Sequence, residues 1–130
     1  MSRNSACYHS PMNPAASSAP YAHIDSLDTL RDELRKFVAA RDWQQYHAPK
    51  NLVMALSVET AELVEIFQWL TPDESRNLAP EQHAAAQDEI ADVLVYLIET
   101  ADALGIDPLA AVRQKLVKNT IKYPAIKEQA

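Results

Sequence analysis

Residues 50–69 read KNLVMALSVETAELVEIFQW and residues 88–97 read DEIADVLVYL. Both stretches are apolar at helical spacing, and each carries two acids three residues apart: Glu59 and Glu62 in the first, Glu89 and Asp92 in the second. On an α-helix, i and i+3 share a face about one turn apart. An unpaired carboxylate on a buried face costs several kcal/mol, so acids seldom enter such a face alone. The chain offers few cations nearby to match four acids, and a divalent metal would match them. The alternative is that the acids lie on outer, solvated faces; two such pairs in two apolar helices favour the metal.

The donor set indicates which metal. All four groups are hard oxygen donors without a His or Cys, which suits Mg²⁺ or Mn²⁺ over zinc. A di-iron bundle would use Glu-x-x-His pairs, and no Glu here has a His three residues on. Glu65 continues the spacing but points about 120° away from Glu59, which makes it a surface or supporting residue.

Working outward, the chain reads as helix throughout. Its 130 residues are enough for one domain with a modest core. Gly105 is the only glycine, which excludes dinucleotide-binding and Walker A loops and speaks against an all-β fold. Residues 1–22, rich in Ser, Pro, Ala and Asn, read as a disordered arm, leaving 23–130 as the folded domain. Asp25 or Ser26 caps a first helix with a stripe of Leu27, Leu30, Leu34, Phe37 and Val38 that ends near Ala40. Pro49 is a probable first residue of the second helix, which runs to about Trp69 with Leu52, Val53, Leu56, Leu63, Ile66 and Phe67 inward. Thr71 to Glu74 form a capping box opening a short helix. Pro80 opens a long helix that Gly105 ends. Asp107-Pro108 starts a last helix with Leu109, Val112, Leu116 and Val117 inward, ended by Tyr123-Pro124. Four principal helices joined by short loops make an all-α, four-helix-bundle-like fold. The apolar content, 48%, is high for a lone bundle of this size and fits self-association.

The net charge of −6 gives no basic footprint for a nucleic acid polymer, although metal ions can bridge an acidic protein to a polyphosphate. Cys7 stands alone, so no intrachain disulfide forms. No apolar run is long enough for a membrane span, and no signal-peptide stretch opens the chain. The expectation is a cytoplasmic protein without a membrane partner.

Other motifs carry less by themselves. Trp43, in Arg41-Asp42-Trp43, either stacks on a base or plugs a helix corner. His47 caps a helix, bonds a phosphate or does neither. Lys115 and Asn119 share a face of the last helix with Lys122 beside it; they meet phosphate oxygens or form the cationic C-terminus that the helix dipole favours. Trp69 and Tyr96 sit among core residues.

Five blocks in order carry a resemblance: Arg41-Asp42-Trp43; Asn51-Leu52; Glu59-x-x-Glu62-Leu63-x-Glu65-x-Phe67-Gln68-Trp69; Asp88-Glu89-Ile90-Ala91-Asp92-Val93-Leu94-x-Tyr96-Leu97; and Lys115-x-x-x-Asn119-x-x-Lys122-Tyr123-Pro124. Together they resemble the MazG-like nucleotide pyrophosphohydrolases, most nearly the dCTP pyrophosphatase branch, over residues 26–124. The resemblance implies an all-α enzyme, assembled as a homodimer or homotetramer, that hydrolyses a (deoxy)nucleoside triphosphate to the monophosphate and pyrophosphate with Mg²⁺. It places the metal ligands on Glu59, Glu62, Glu89 and Asp92. Which carboxylate is the catalytic base stays open, with Glu59 or Glu62 the candidates. Substrate contacts fall on Trp43, His47, Trp69, Tyr96, Lys115, Asn119, Lys122 and Tyr123.

Two positions depart from the pattern. Val58 stands where MazG proper has a further Glu, which favours the dCTP pyrophosphatase branch. Leu34 stands where animal enzymes of that branch use a His toward the base, so this site should discriminate less sharply between bases. The rival expectations are a non-catalytic helical partner-binding protein, whose acids are merely solvated, and a related all-α hydrolase acting on dUTP or phosphoribosyl-ATP.

Overall fold

The structure, a computed structural model, describes residues 19–126. These form five α-helices and one 3-10 turn, with no strand among the described residues. The helices are α1 (Leu27–Ala39), α2 (Pro49–Phe67), α3 (Pro72–Ser75), α4 (Pro80–Ala103) and α5 (Pro108–Lys122), with the 3-10 turn at Gln44–Tyr46. Most of the expected arm, with Cys7, Tyr8 and His9, lies outside the described residues. Its last residues form a turn, in which the Ala22 N–H donates to the Ala19 carbonyl at 3.0 Å.

Local chemistry sets each boundary. Ser26 caps α1: the Thr29 N–H donates to its hydroxyl at 3.1 Å, and the Ser26 N–H donates back to Thr29 Oγ1 at 2.9 Å. After α1, Asp42 takes a left-handed φ of 53°, a conformation Asp tolerates better than most residues. The chain folds back there, and the Trp43 N–H donates to the Val38 carbonyl at 3.1 Å. Pro49 and Pro80 occupy first helical positions, where their missing N–H is harmless. Thr71 and Glu74 exchange bonds of 3.2 and 3.1 Å to open α3.

α4 ends in a Schellman motif. The Ile106 N–H donates to the Ala101 carbonyl (2.9 Å) and the Gly105 N–H to that of Asp102 (3.1 Å), with Gly105 at φ 65°. A side chain there would meet nothing within 4 Å, so the backbone twist alone calls for glycine.

α2 and α4 pack against one another along their length, and α1 lies more lightly on α4. The pair is antiparallel: Phe67 meets the level of Ile90, Glu59 that of Asp92, and Leu52 that of Ile98. The thin core consists of Val38, Leu52, Ala86, Ile98 and Thr100. A two-pronged contact of Arg35 with the Asp102 carboxylate, one arm at 2.9 Å, ties α1 to α4.

The last helix, α5, departs from expectation. Leu109, Val112, Leu116 and Val117 do not point inward; all four are exposed, as is Ile121. α5 makes little contact with the other described residues, so among them its apolar stripe has nothing to cover. Val53, expected in the core face of α2, is also exposed, and Ile90, Leu94 and Leu97 leave much of one side of α4 open. Among the described residues, no helix is long and apolar enough to cross a membrane.

Candidate functional site

The two acid pairs converge between α2 and α4. One carboxylate oxygen from each of Glu59, Glu89 and Asp92 lies within 4.8 Å of the others. Glu62 stands in hydrogen-bonding reach of both Glu59 and Glu89. The antiparallel packing brings this about, because an i, i+3 pair on each helix then meets its counterpart at one level.

The electrostatics are those of crowded carboxylates. Glu59 Oε2 and Glu89 Oε2 are buried without a hydrogen-bond partner, and orphaned buried acceptors are costly. None of the ion pairs among the described residues reaches the four acids. The Glu59 carboxyl is pushed up to about 7. The hydrogen bond shared with Glu62 does most, followed by burial and the charges of Glu62, Asp92 and Glu89. Glu89 is pushed up as well, first by burial and then by the charge of Glu62. Like charges at close range hold a proton between them. A divalent cation would replace that proton and engage the orphaned oxygens, and an all-oxygen donor set fits a hard ion.

Tyr96, one turn beyond Asp92 on the same face, is half-buried beside the cluster. Its hydroxyl is held above its ordinary value by burial, then by the charges of Glu99, Glu59 and Asp92. It is thus a neighbour of the acids and not simply core. Farther along, His47 lines a cleft of about 440 Å³ bounded by α1, the 3-10 turn, α2 and α4. Leu34 and Glu99 line it too. Burial pushes the Glu99 carboxyl up, and the nearby His47 ring pulls the other way. Sequence reading missed Glu99, although Asp92, Tyr96 and Glu99 at i, i+4 and i+7 fall on one helical face.

The remaining candidates lie apart. Trp43 packs edge-on against Phe37, ring centroids 6.0 Å apart, with the Arg41 guanidinium 3.4 Å over the Phe37 ring; it forms a corner. Trp69, just past the end of α2, is 87% exposed, which removes the reading of it as core. On α5, Lys115, Lys122 and Tyr123 are exposed and Asn119 is half-buried. The ammonium of Lys122 sits 5.2 Å from the Tyr123 ring.

The described residues are all-helical, and two central antiparallel helices bring Glu59, Glu89 and Asp92 together in an arrangement that could hold a cation. Residues 54–130 match the model of the MazG-like family, and the chain belongs to that family. The matched stretch holds the whole quartet and α5, while Trp43 and His47 lie upstream of it.

Relatives extend the comparison. The chain is 41% identical over 102 residues to dCTP pyrophosphatase 1 of Homo sapiens, covering 77% of this chain and 60% of that protein. It is 36% identical over 122 residues to dCTP pyrophosphatase 1 of Rattus norvegicus, covering 91% of this chain and 72% of that one. The chain thus spans about 60% of the length of the human relative. A solved structure of a pyrophosphatase from Archaeoglobus fulgidus superimposes with a TM-score of 0.72 at 44% identity, over 76% of this chain and 93% of that one.

Proposed function

We propose that the protein hydrolyses a (deoxy)nucleoside triphosphate, dCTP foremost, to the monophosphate and pyrophosphate, clearing the nucleotide pool. The observation that carries this is the cluster of Glu59, Glu89 and Asp92 within 4.8 Å, with two of its oxygens buried and unpartnered. The names of the relatives support the substrate class and its triphosphate.

Glu59, Glu62, Glu89 and Asp92 would hold Mg²⁺, with Mn²⁺ as a substitute. The bound ion supplies charge neutralisation of the triphosphate oxygens and polarisation of the α-phosphorus. The residues do the rest. Glu59 or Glu62 takes the proton of the attacking water. Tyr96 flanks the acids and contacts the substrate. Lys115 and Lys122 stabilise the charge of the departing pyrophosphate, with Asn119 and Tyr123 beside them. Trp43, His47 and Trp69 contact the nucleoside.

The exposure of α5 adds a condition. Its apolar stripe and the open sides of α2 and α4 are large for a solitary surface. A dimer or tetramer would cover them and bring the cationic residues of one copy toward the acids of another.

The test is a panel of deoxy- and ribonucleoside triphosphates assayed for pyrophosphate release with and without Mg²⁺. Release of pyrophosphate, lost on chelation and lost in Glu62→Gln while the helical content stays, supports the reading. Release of single phosphates, or a Glu62→Gln variant with near-normal turnover, rejects it. No release from any nucleotide would leave a helical partner-binding protein.

A further inference from the structure

Two helical turns from the quartet, the same faces of α2 and α4 carry a second feature. Leu52 lies seven residues before Glu59, and Glu99 seven after Asp92. Seven residues return a side chain to nearly the same face, about 10 Å along the helix. Because the helices are antiparallel, both displacements run in the same direction, and Leu52 and Glu99 meet again in the 440 Å³ cleft. Leu34 and Val38 of α1, with Gln44 and His47 of the corner, form its other walls. Arg31 and Arg35 also reach it, but both are engaged by carboxylates, Arg31 by Asp32 at 3.1 Å and Arg35 by Asp102.

Glu99 differs from these. It is half-buried and lines the cleft beside the His47 ring, yet its carboxylate takes part in no hydrogen bond or ion pair among the described residues. A carboxylate is an acceptor only, so the cleft offers an unmet demand for a donor. The natural donor at this distance from a phosphate-cleaving centre is the edge of the base, and a carboxylate accepts well from the exocyclic amino group of cytosine.

The proposed function, through His47, already sets the nucleoside at this cleft; we infer that Glu99 is the residue that selects the base there, by accepting a hydrogen bond from its exocyclic amino group. Amino-bearing bases, cytosine first, are taken, and thymine and uracil are refused. The latter two present a carbonyl oxygen where the amino group would be, which sets acceptor against acceptor and leaves the carboxylate unpaired. This inference rests on the proposed function for the position of the phosphates, and it adds the residue that selects the base.

The experiment compares the full chain with Glu99→Ala and Glu99→Gln. kcat/KM is measured for dCTP, dTTP and dUTP. In parallel, calorimetry measures the affinity for dCMP and dTMP, which needs no turnover. Glu99→Ala should lower kcat/KM for dCTP ten- to about a hundredfold and raise it for dTTP and dUTP, because the acceptor that opposes their carbonyl oxygen is gone. Glu99→Gln, whose amide also donates, should narrow the gap by admitting the carbonyl bases. The dCMP-to-dTMP affinity ratio should collapse in the same way, while Tm holds or rises, because an unpartnered half-buried charge is removed. An unchanged base ranking in Glu99→Ala, an equal fall for all bases, or a native chain that binds dCMP no better than dTMP overturns the inference. If no triphosphate is hydrolysed, the proposed function fails, and the monophosphate affinities still decide this one.

Discussion

α2 and α5 are both amphipathic helices opened by a proline, yet they end up in opposite situations. α2 lies along α4 and sends Leu52, at 2% exposure, into the core. α5 stands nearly free, with Ile121 at 79% exposure. The difference teaches where the two halves of the proposed site come from. The acids sit on the helices that pair within the chain and are assembled by folding alone. The cationic residues sit on a helix whose apolar stripe the chain leaves uncovered, so their place depends on what covers that stripe.

Breaking the first half should have the largest effect. Glu62→Gln removes one negative charge from the four proposed ligands and a candidate proton acceptor with it, and kcat should fall about a thousandfold, roughly 4 kcal/mol in the barrier, as read by pyrophosphate release. Circular dichroism should show the helices intact. Next comes the packing under the site: Leu52→Ala should cost about 3 kcal/mol in urea unfolding, because its cavity lies between α1, α2 and α4.

The second half is broken at Val117. Val117→Asp adds a charge to an already exposed position, so in a lone chain it should change stability by less than about 0.5 kcal/mol. If a second copy covers α5, the same change should lower the mass measured by light scattering and reduce turnover with it.

Acidity sharpens the comparison. Between the ordinary glutamate value of 4.5 and about 7, folded Glu59 holds a proton that the unfolded chain has released. Cation-free protein should therefore lose stability as pH rises through that window and level off above it. Scanning calorimetry should show Tm falling from pH 5 to pH 7.5, with a flatter profile in Glu59→Gln and a reversal when Mg²⁺ is added. A small effect is also expected at the α1–α4 tie. Arg35 is more than half exposed, with Asp102 partly so, and Arg35→Met should cost at most about 1 kcal/mol.

Leu34 shows how far residue-by-residue resemblance reaches. Its lack of a polar group reads as weaker base discrimination, yet the cleft it lines has a carboxylate on the facing helix. Glu99 was invisible as a site residue because nothing in the sequence says that α1 lies over that stretch of α4. Trp69 erred the other way: apolar neighbours in sequence suggested core, but it falls just beyond the last turn of α2 with no element above it.

By itself the sequence determined the helices and their ends, because caps, prolines and the single glycine act within a few residues of where they stand. It also determined that each acid pair shares a face, since that follows from 3.6 residues per turn. Only the tertiary structure decided that the pairs meet at one level, that the stripe carrying Glu99 runs on into a cleft walled by α1, and that α5 stays uncovered by the other described residues. Those outcomes depend on how helices distant in sequence pack, and periodicity within one helix carries no information about the angle or level at which another will meet it.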